Sequence, residues 1–356
     1  MLMSRYCFLL LIMCFFIACN TPAKETAPTT IPSPTTKNLH HLAANASKKG
    51  AWLKAAQLYE GIYQQNTGNE QANYETGTHY LKANYPHKAL TILTGFDKKY
   101  QDQSAEFNGR IARIAKAYYQ LRQYHTVLEV VENYQYPKMY RGLAREHLKT
   151  LIQLVQPNAL AKQFAIYQQT RIYDDKGKST NMGFLYRAIC NELLLTNQLD
   201  LLATYANQYS NWASKRLPKD KRNAAFSAFY QQNYPQAIDQ IKAAIIAEKS
   251  ARHSMELAGL LGVCYAKNQD LGKAIAQIQK IQAMDKLPPR HDAFGAKFYH
   301  QARIEVALKQ ADNAIASLKK GLANKAEFWS NRFQEDGLMK GILEEEAFKM
   351  LVQYRY

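Results

Sequence analysis

Apolar residues recur along this chain in a two-part pattern, clearest between Gly259 and Ile281. Leu261, Gly262 and Tyr265 sit at helical spacing. A polar break runs from Lys267 to Asp270. Ala274, Ile278 and Ile281 then resume the spacing, and Pro288 and Pro289 follow. Apolar positions three or four residues apart predict an amphipathic helix on each side of the break. A break this short joins helices that run antiparallel. Gly262 and Ala274 are small enough to sit where two helices cross closely, while Tyr265 and Ile278 fill the flanking grooves.

The pattern repeats. Gly77 and Tyr80 lead to Ala89 and Leu93, and Ala115 and Tyr118 lead to Val127 and Val131. Ala225 and Ala228 lead to Ala237 and Ile241, and Ala302 leads to Ala314 and Leu318. Near the start only a second half is clear, at Gly50, Trp52, Ala55, Tyr59 and Ile62. The second-half positions 55, 89, 127, 237, 274 and 314 are separated by 34, 38, 110, 37 and 40 residues. The long gap has room for three units of about 37 residues. A helix pair cannot hide its apolar face alone, so such units must stack. The pattern is weakest between residues 135 and 215.

This unit resembles the tetratricopeptide repeat, whose first helix carries W-x2-L-G-x2-Y and whose second carries Ala and Phe, followed by Pro. Leu261, Gly262, Tyr265, Ala274 and Pro288 are in or near that register, and the likeness covers residues 40 to 325. It implies an all-α fold, an α-solenoid of seven or eight stacked antiparallel helix pairs. In such arrays the first helix of each pair lines a concave groove. Carried over residue by residue, the groove register falls on Gln71, Tyr74 and Thr78, then Lys116 and Tyr119. In later units it falls on Arg222, Phe226 and Phe229, then Tyr299 and Arg303. The same residues are also suited to packing between repeats. A groove of this composition suits an extended or helical peptide, with Tyr and Arg as anchors. The end of the chain, residues 326–356, resembles the tail that follows some such arrays. There an aspartate-containing turn leads to a last helix, here with Glu346, Phe348 and Leu351, expected to cap the stack.

The N-terminus, MLMSRYCFLLLIMCFFIACN, places Arg5 before an apolar run from Tyr6 to Ala18. Those 13 residues fall short of the roughly 20 that span a bilayer as a helix. They fit the apolar core of a secretory signal. Phe16-Ile17-Ala18-Cys19 resembles a bacterial lipobox, with Phe where Leu is usual. By that resemblance residues 1–18 are removed and Cys19 carries the lipid. Residues 20–38 hold four prolines and six threonines with no helical period. They read with Cys19 as a tether (19–38) able to hold a domain up to roughly 60 Å from a membrane. Asn20, rather than Asp, beside the lipidated position implies the outer membrane by analogy with enteric sorting. Residues 39–325 are then the repeat domain.

Charge and chemistry narrow the function further. The net charge of +17 favours anionic partners. Export argues against nucleic acid as one of them. The sequence contains no H-E-x-x-H, G-x-S-x-G, G-x-x-x-x-G-K-[ST] or C-x-x-C. Asp174 to Ser179 reads as a turn rather than a phosphate loop, and Glu344 to Glu346 as a solvated charge run. Cys190 and Cys264 lie in apolar, helix-like settings, where a thiol behaves as a small hydrophobe. No catalytic residue, metal site or cofactor is expected. The expected partners are envelope proteins or peptides, together with the membrane through Cys19. A glycan-binding lipoprotein of the starch-utilisation type and a superhelical peptidoglycan-active enzyme are the alternatives. Substituting Cys19→Ser should abolish lipid labelling and move the protein from the membrane to the soluble fraction, as read by fractionation.

Overall fold

The computed structural model describes residues 36–95, 105–134, 139–174, 177–216, 220–284, 296–325 and 333–352. The signal, Cys19 and the tether up to residue 35 lie outside them. Helix α1 (Thr36–Lys48) pairs with α2 (Trp52–Gln65), and α3 (Glu70–Lys82) with α4 (Pro86–Thr94). Then come α5 (Ala105–Gln120) with α6 (Tyr124–Glu132), and α7 (Arg141–Gln153) with α8 (Pro157–Gln169). They are followed by α9 (Gly183–Thr196) with α10 (Leu199–Ser214), and α11 (Lys221–Tyr230) with α12 (Tyr234–Ala247). The last pairs are α13 (Ala251–Lys267) with α14 (Leu271–Ala283), and α15 (Ala296–Ala307) with α16 (Ala311–Lys325). A 3-10 turn (Gly337–Ile342) and a short helix α17 (Glu346–Val352) follow. Thr36, Lys37 and Asn38, assigned to the tether from sequence, already belong to α1.

One local device makes all eight pairs. Each first helix ends on a left-handed residue: Gly50, Asn84, Arg122, Val155, Asn197, Gln232, Gln269 or Lys309. The second helix begins two residues later in every case. Beyond the left-handed residue, the N–H groups of Ala51, Tyr85, Gln123, Gln156, Gln198, Asp270 and Gln310 donate to carbonyls five residues back, at 2.9–3.0 Å. These bonds satisfy carbonyls that the helix end would otherwise leave open. The side chains of Asn69, Asp220, Asn233, Ser250 and Asp270 cap the helices that follow them. Each such cap contributes about 1 kcal/mol.

The turns also set the packing register. Seven residues before each left-handed residue stand Ala43, Gly77, Ala115, Leu148, Cys190, Ala225, Gly262 and Ala302, all buried. Five residues after it stand Ala55, Ala89, Val127, Leu160, Leu202, Ala237, Ala274 and Ala314, at most 1% exposed. Cys190 is thus the small residue of its pair. It and Cys264 are separate buried thiols. A Cβ on Gly77 would lie 2.4 Å from Leu93 Cγ across its own pair. A Cβ on Gly262 would lie 2.3 Å from Ile304 Cδ1, on the first helix of the next pair, and 3.2 Å from Gln277 Cβ. Gly262 therefore serves the stacking of pairs as much as the hairpin.

First helices of successive pairs touch at α3–α5, α5–α7, α7–α9 and α13–α15, while α2, α4, α10 and α12 pack on the first helix that follows each. One apolar core runs from Ala144 to Val352, with smaller clusters under the first three pairs. Extended pairing among the described residues is confined to two two-residue parallel strands, β1 (Met139–Tyr140) and β2 (Ile172–Tyr173), and one antiparallel bridge from Tyr173 to Ser179. Just after β2, Asp174 closes a turn on itself: its N–H donates to the Lys178 carbonyl and its carboxylate accepts from the Lys178 N–H, both at 2.8 Å.

The C-terminal segment does more than continue the stack. Its 3-10 turn packs against α9 and α15 as well as α16, and Phe333, Met339, Ile342 and Phe348 are almost fully buried. Among the described residues no helix is long and apolar enough to cross a membrane.

Val155 is β-branched, 67% exposed, and held at φ 53°. A left-handed conformation costs a residue with a Cβ about 1–2 kcal/mol. Val155→Gly should therefore stabilise the protein by about 1 kcal/mol, measured by urea unfolding.

Candidate peptide-binding face

The first helices share a face that the left-handed turns make easy to follow. Six residues before the turn residues from Asn84 onward lie Thr78, Lys116, Lys149, Asn191, Phe226, Val263 and Arg303. Four of these converge on Glu335 to Gly337 of the C-terminal segment. Lys149 Nζ lies 3.1 Å from Glu335 Oε2. Arg303 Nε lies 3.2 Å from Asp336 Oδ2, which also accepts the Tyr299 hydroxyl at 2.5 Å. Asn191 reads backbone: its Nδ2 donates to the Glu335 carbonyl at 2.6 Å and its Oδ1 accepts the Gly337 N–H at 3.1 Å. Lys116 is near enough to interact electrostatically with Glu335. A Cβ on Gly337 would lie 2.8 Å from the Asn191 carbonyl oxygen and 3.0 Å from Leu194, so only glycine fits there unstrained. The face therefore holds a turn of the chain's own polypeptide, by its carboxylates and by its main chain.

Lys149 is the hub. Besides Glu335 it faces Glu192 at 3.6 Å and Glu146 at 3.7 Å, and its ammonium lies 3.9 Å from the Tyr119 ring centre. Glu146 and Glu192 are fully buried. Burial alone would lower the Lys149 ammonium, but the three carboxylates outweigh it and hold the charge. For Glu335, burial pushes the carboxyl up, while Lys149, Lys116 and Arg145 together bring it down to about 2. Glu192 goes the other way: burial raises its carboxyl more than Lys149, the Tyr119 hydroxyl at 2.5 Å and Gln153 lower it.

A second cluster lies on α9, α11 and α13. Arg222 pairs with Glu256, and Phe226 sits between the guanidiniums of Arg187 and Arg222, 5.4 and 5.8 Å from its ring centre. Arg187 also donates to Asn223 Oδ1, which accepts from Tyr209 at 2.5 Å. Among the described residues no group of three or more His, Cys, Asp and Glu is placed to hold a metal ion.

The residues expected from sequence fall into distinct settings. Gln71 is exposed on α3. The Tyr74 hydroxyl and Thr78 Oγ1 accept from Arg113 at 3.0 and 3.3 Å. Tyr119, Lys116, Tyr299 and Arg303 surround or face the C-terminal segment. Arg222 and Phe226 belong to the second cluster. Phe229 is buried in the core against Tyr230 and Tyr234.

No protein-family model and no curated protein matches the chain. Among solved structures, a tetratricopeptide repeat protein from Parabacteroides merdae overlaps 90% of this chain and 98% of its own, at 10% identity and a TM-score of 0.42. The P58(IPK) TPR domain overlaps 90% of this chain and 99% of its own, at 12% identity and a TM-score of 0.24. Both scores are low, and the architecture rests on the chain's own helix contacts. The fold is an all-α solenoid of tetratricopeptide-like helix pairs.

Lys149, Asn191, Arg145 and Arg187 escape sequence reasoning, and the reason is specific. They hold the register of Lys116 and Tyr74 in α7 and α9, six and ten residues before Val155 and Asn197. Those two turns are hidden because the crossing positions after them are Leu160 and Leu202 rather than a small residue.

Removing Lys149 would leave three neighbouring carboxylates without it. Lys149→Met should destabilise the protein by about 3–5 kcal/mol at pH 7, read by urea unfolding. Glu335 is held below its unfolded pKa of about 4.3. Its stabilising contribution is therefore present above that pH and lost as pH falls toward about 2. The deficit of the variant should shrink over the same interval.

Proposed function

We propose that this protein is a membrane-anchored scaffold of the bacterial cell envelope, tied by lipid on Cys19 to the outer membrane and holding protein partners on the shared face of its first helices. It acts by binding, with no chemical step of its own. The observation that carries this reading is that the face already holds a piece of polypeptide, the chain's own Glu335 to Gly337. It does so with a backbone-reading amide at Asn191 and cations that pair carboxylates, the means by which a peptide is recognised in trans. The lipobox-like Cys19 and the Pro/Thr-rich tether support the envelope address. A fold built from stacked pairs offers a long continuous face, which suits an adaptor.

A photocrosslinking residue at Tyr74 or Arg222 should capture envelope proteins in living cells. The same residue at Ile246, on α12 and 87% exposed, should not. Capture of the same proteins with equal yield from all three positions would rule out the first-helix face.

A further inference from the structure

Each pair turns back between its first and second helix, so stacking brings these turns to one edge of the solenoid. In the first three pairs, charge is sorted toward that edge. The turns and the helix ends that meet there, residues 48–55, 80–89 and 118–127, carry Lys48, Lys49, Lys54, Lys82, Lys88 and Arg122, with no Asp or Glu. All of these cations are exposed except Lys82, which is half-buried. Among the described residues, the acids of the same pairs are Glu60, Glu70, Glu75, Glu106, Glu129 and Glu132, and they lie along the helices or toward their other ends. Aromatic rings are set among the cations. Lys82 Nζ lies 4.3 Å from the Trp52 ring centre, and Lys88 Nζ lies 5.6 and 5.7 Å from those of Tyr85 and Tyr80. Farther along the edge Asp200, Asp270 and Asp312 enter it, and so do apolar side chains: Val155, Leu199 and Leu271 are 67, 48 and 55% exposed.

We propose that this turn edge lies against an anionic phospholipid surface, with Lys48, Lys49, Lys54, Lys88 and Arg122 meeting the headgroups. Two features select a lipid surface over a soluble anion or an acidic protein. The cations belong to three separate turns rather than converging on one point, which suits a plane of many negative charges. Rings beside cations, and apolar side chains exposed along the same edge, are the residue types that settle at the boundary of headgroups and acyl chains. Each basic residue near such a surface strengthens binding about fivefold, and the attraction falls off within a Debye length. Such docking goes beyond the scaffold reading, because it needs no lipid on Cys19. A lipid there would set how far the solenoid reaches; this edge sets how it lies.

The test places a fluorescent amino acid in the full-length protein at Gln123, on the turn edge, or at Gln64, near the other end of α2; both positions are exposed. Vesicles of phosphatidylcholine, alone or with one quarter phosphatidylglycerol, carry nitroxide-labelled lipid as the quencher. With phosphatidylglycerol at low salt, the Gln123 probe should be quenched more strongly than the Gln64 probe. In phosphatidylcholine alone the two should match, and high salt should erase the difference. Lys49→Gln, Lys88→Gln and Arg122→Gln together should raise the anionic lipid needed for half-maximal quenching about a hundredfold. Lys48→Gln with Lys54→Gln, a separate pair on the same edge, should raise it about twenty-fivefold. Lys49→Arg with Lys88→Arg should leave it unchanged. An unchanged lipid requirement in both Gln variants would overturn the proposal. So would loss of the quenching when glycerol phosphate or oligoglutamate is added at the charge concentration of the lipid. Protein that stays on anionic vesicles with equal quenching at Gln123 and Gln64 would also overturn it, while leaving the scaffold and its Cys19 anchor standing.

Discussion

A single buried ammonium ties together parts of the chain that are far apart. Lys149 on α7 faces Glu146 on its own helix, Glu192 on α9 and Glu335 on the C-terminal segment, 186 residues away. Buried ion pairs seldom add much net stability, because desolvation offsets attraction. Their effect here is on register. Phe333, Met339, Ile342 and Phe348 drive the segment inward, but apolar burial has no direction. A slip of one residue would bury Glu335 or Asp336 without its cation and break both Asn191 bonds, which is costly. The ionic groups and the amide clamp therefore decide where the segment lies, and the apolar anchors decide that it lies there at all.

The segment also divides the first-helix face. Lys149 on α7, Asn191 on α9 and Arg303 on α15 are matched by the chain's own Glu335, Asp336 and Gly337. On α3 the face presents the exposed Gln71 and the half-buried Tyr74. The same division accounts for the sequence-derived groove residues. Tyr299, Arg303 and Tyr119 are committed to internal contacts, and Phe229 to the core, whereas Gln71 remains exposed and Tyr74 and Lys116 half-buried.

Six of the eight pairs are legible in sequence because small residues mark their crossings: Ala55, Ala89, Ala237, Ala274 and Ala314, with Val127 close behind. At α7–α8 and α9–α10 leucines fill the same positions, so the contrast between small and large residues that reveals a crossing is lost. The turns give no help there. Val155 and Asn197 take the left-handed conformation with no glycine to announce it, since the bonds from Gln156 and Gln198 to the preceding helix hold the backbone in place. Lys149 and Asn191 went unseen for that reason alone, because the register that named Lys116 and Arg303 would have named them.

The sequence by itself determined the helical period, the pairing of helices and the expectation of a stack. These depend on contacts between residues a few positions apart, or one repeat apart, and such contacts leave a periodic trace. Tertiary structure alone decided that the C-terminal segment would return to α9 and α15 and that three carboxylates would share Lys149. The longest of those links, Lys149 to Glu335 and Asn191 to Gly337, join residues 186 and 146 positions apart. No local spacing encodes them, because the cost of a buried charge depends on which opposite charge the finished fold brings beside it.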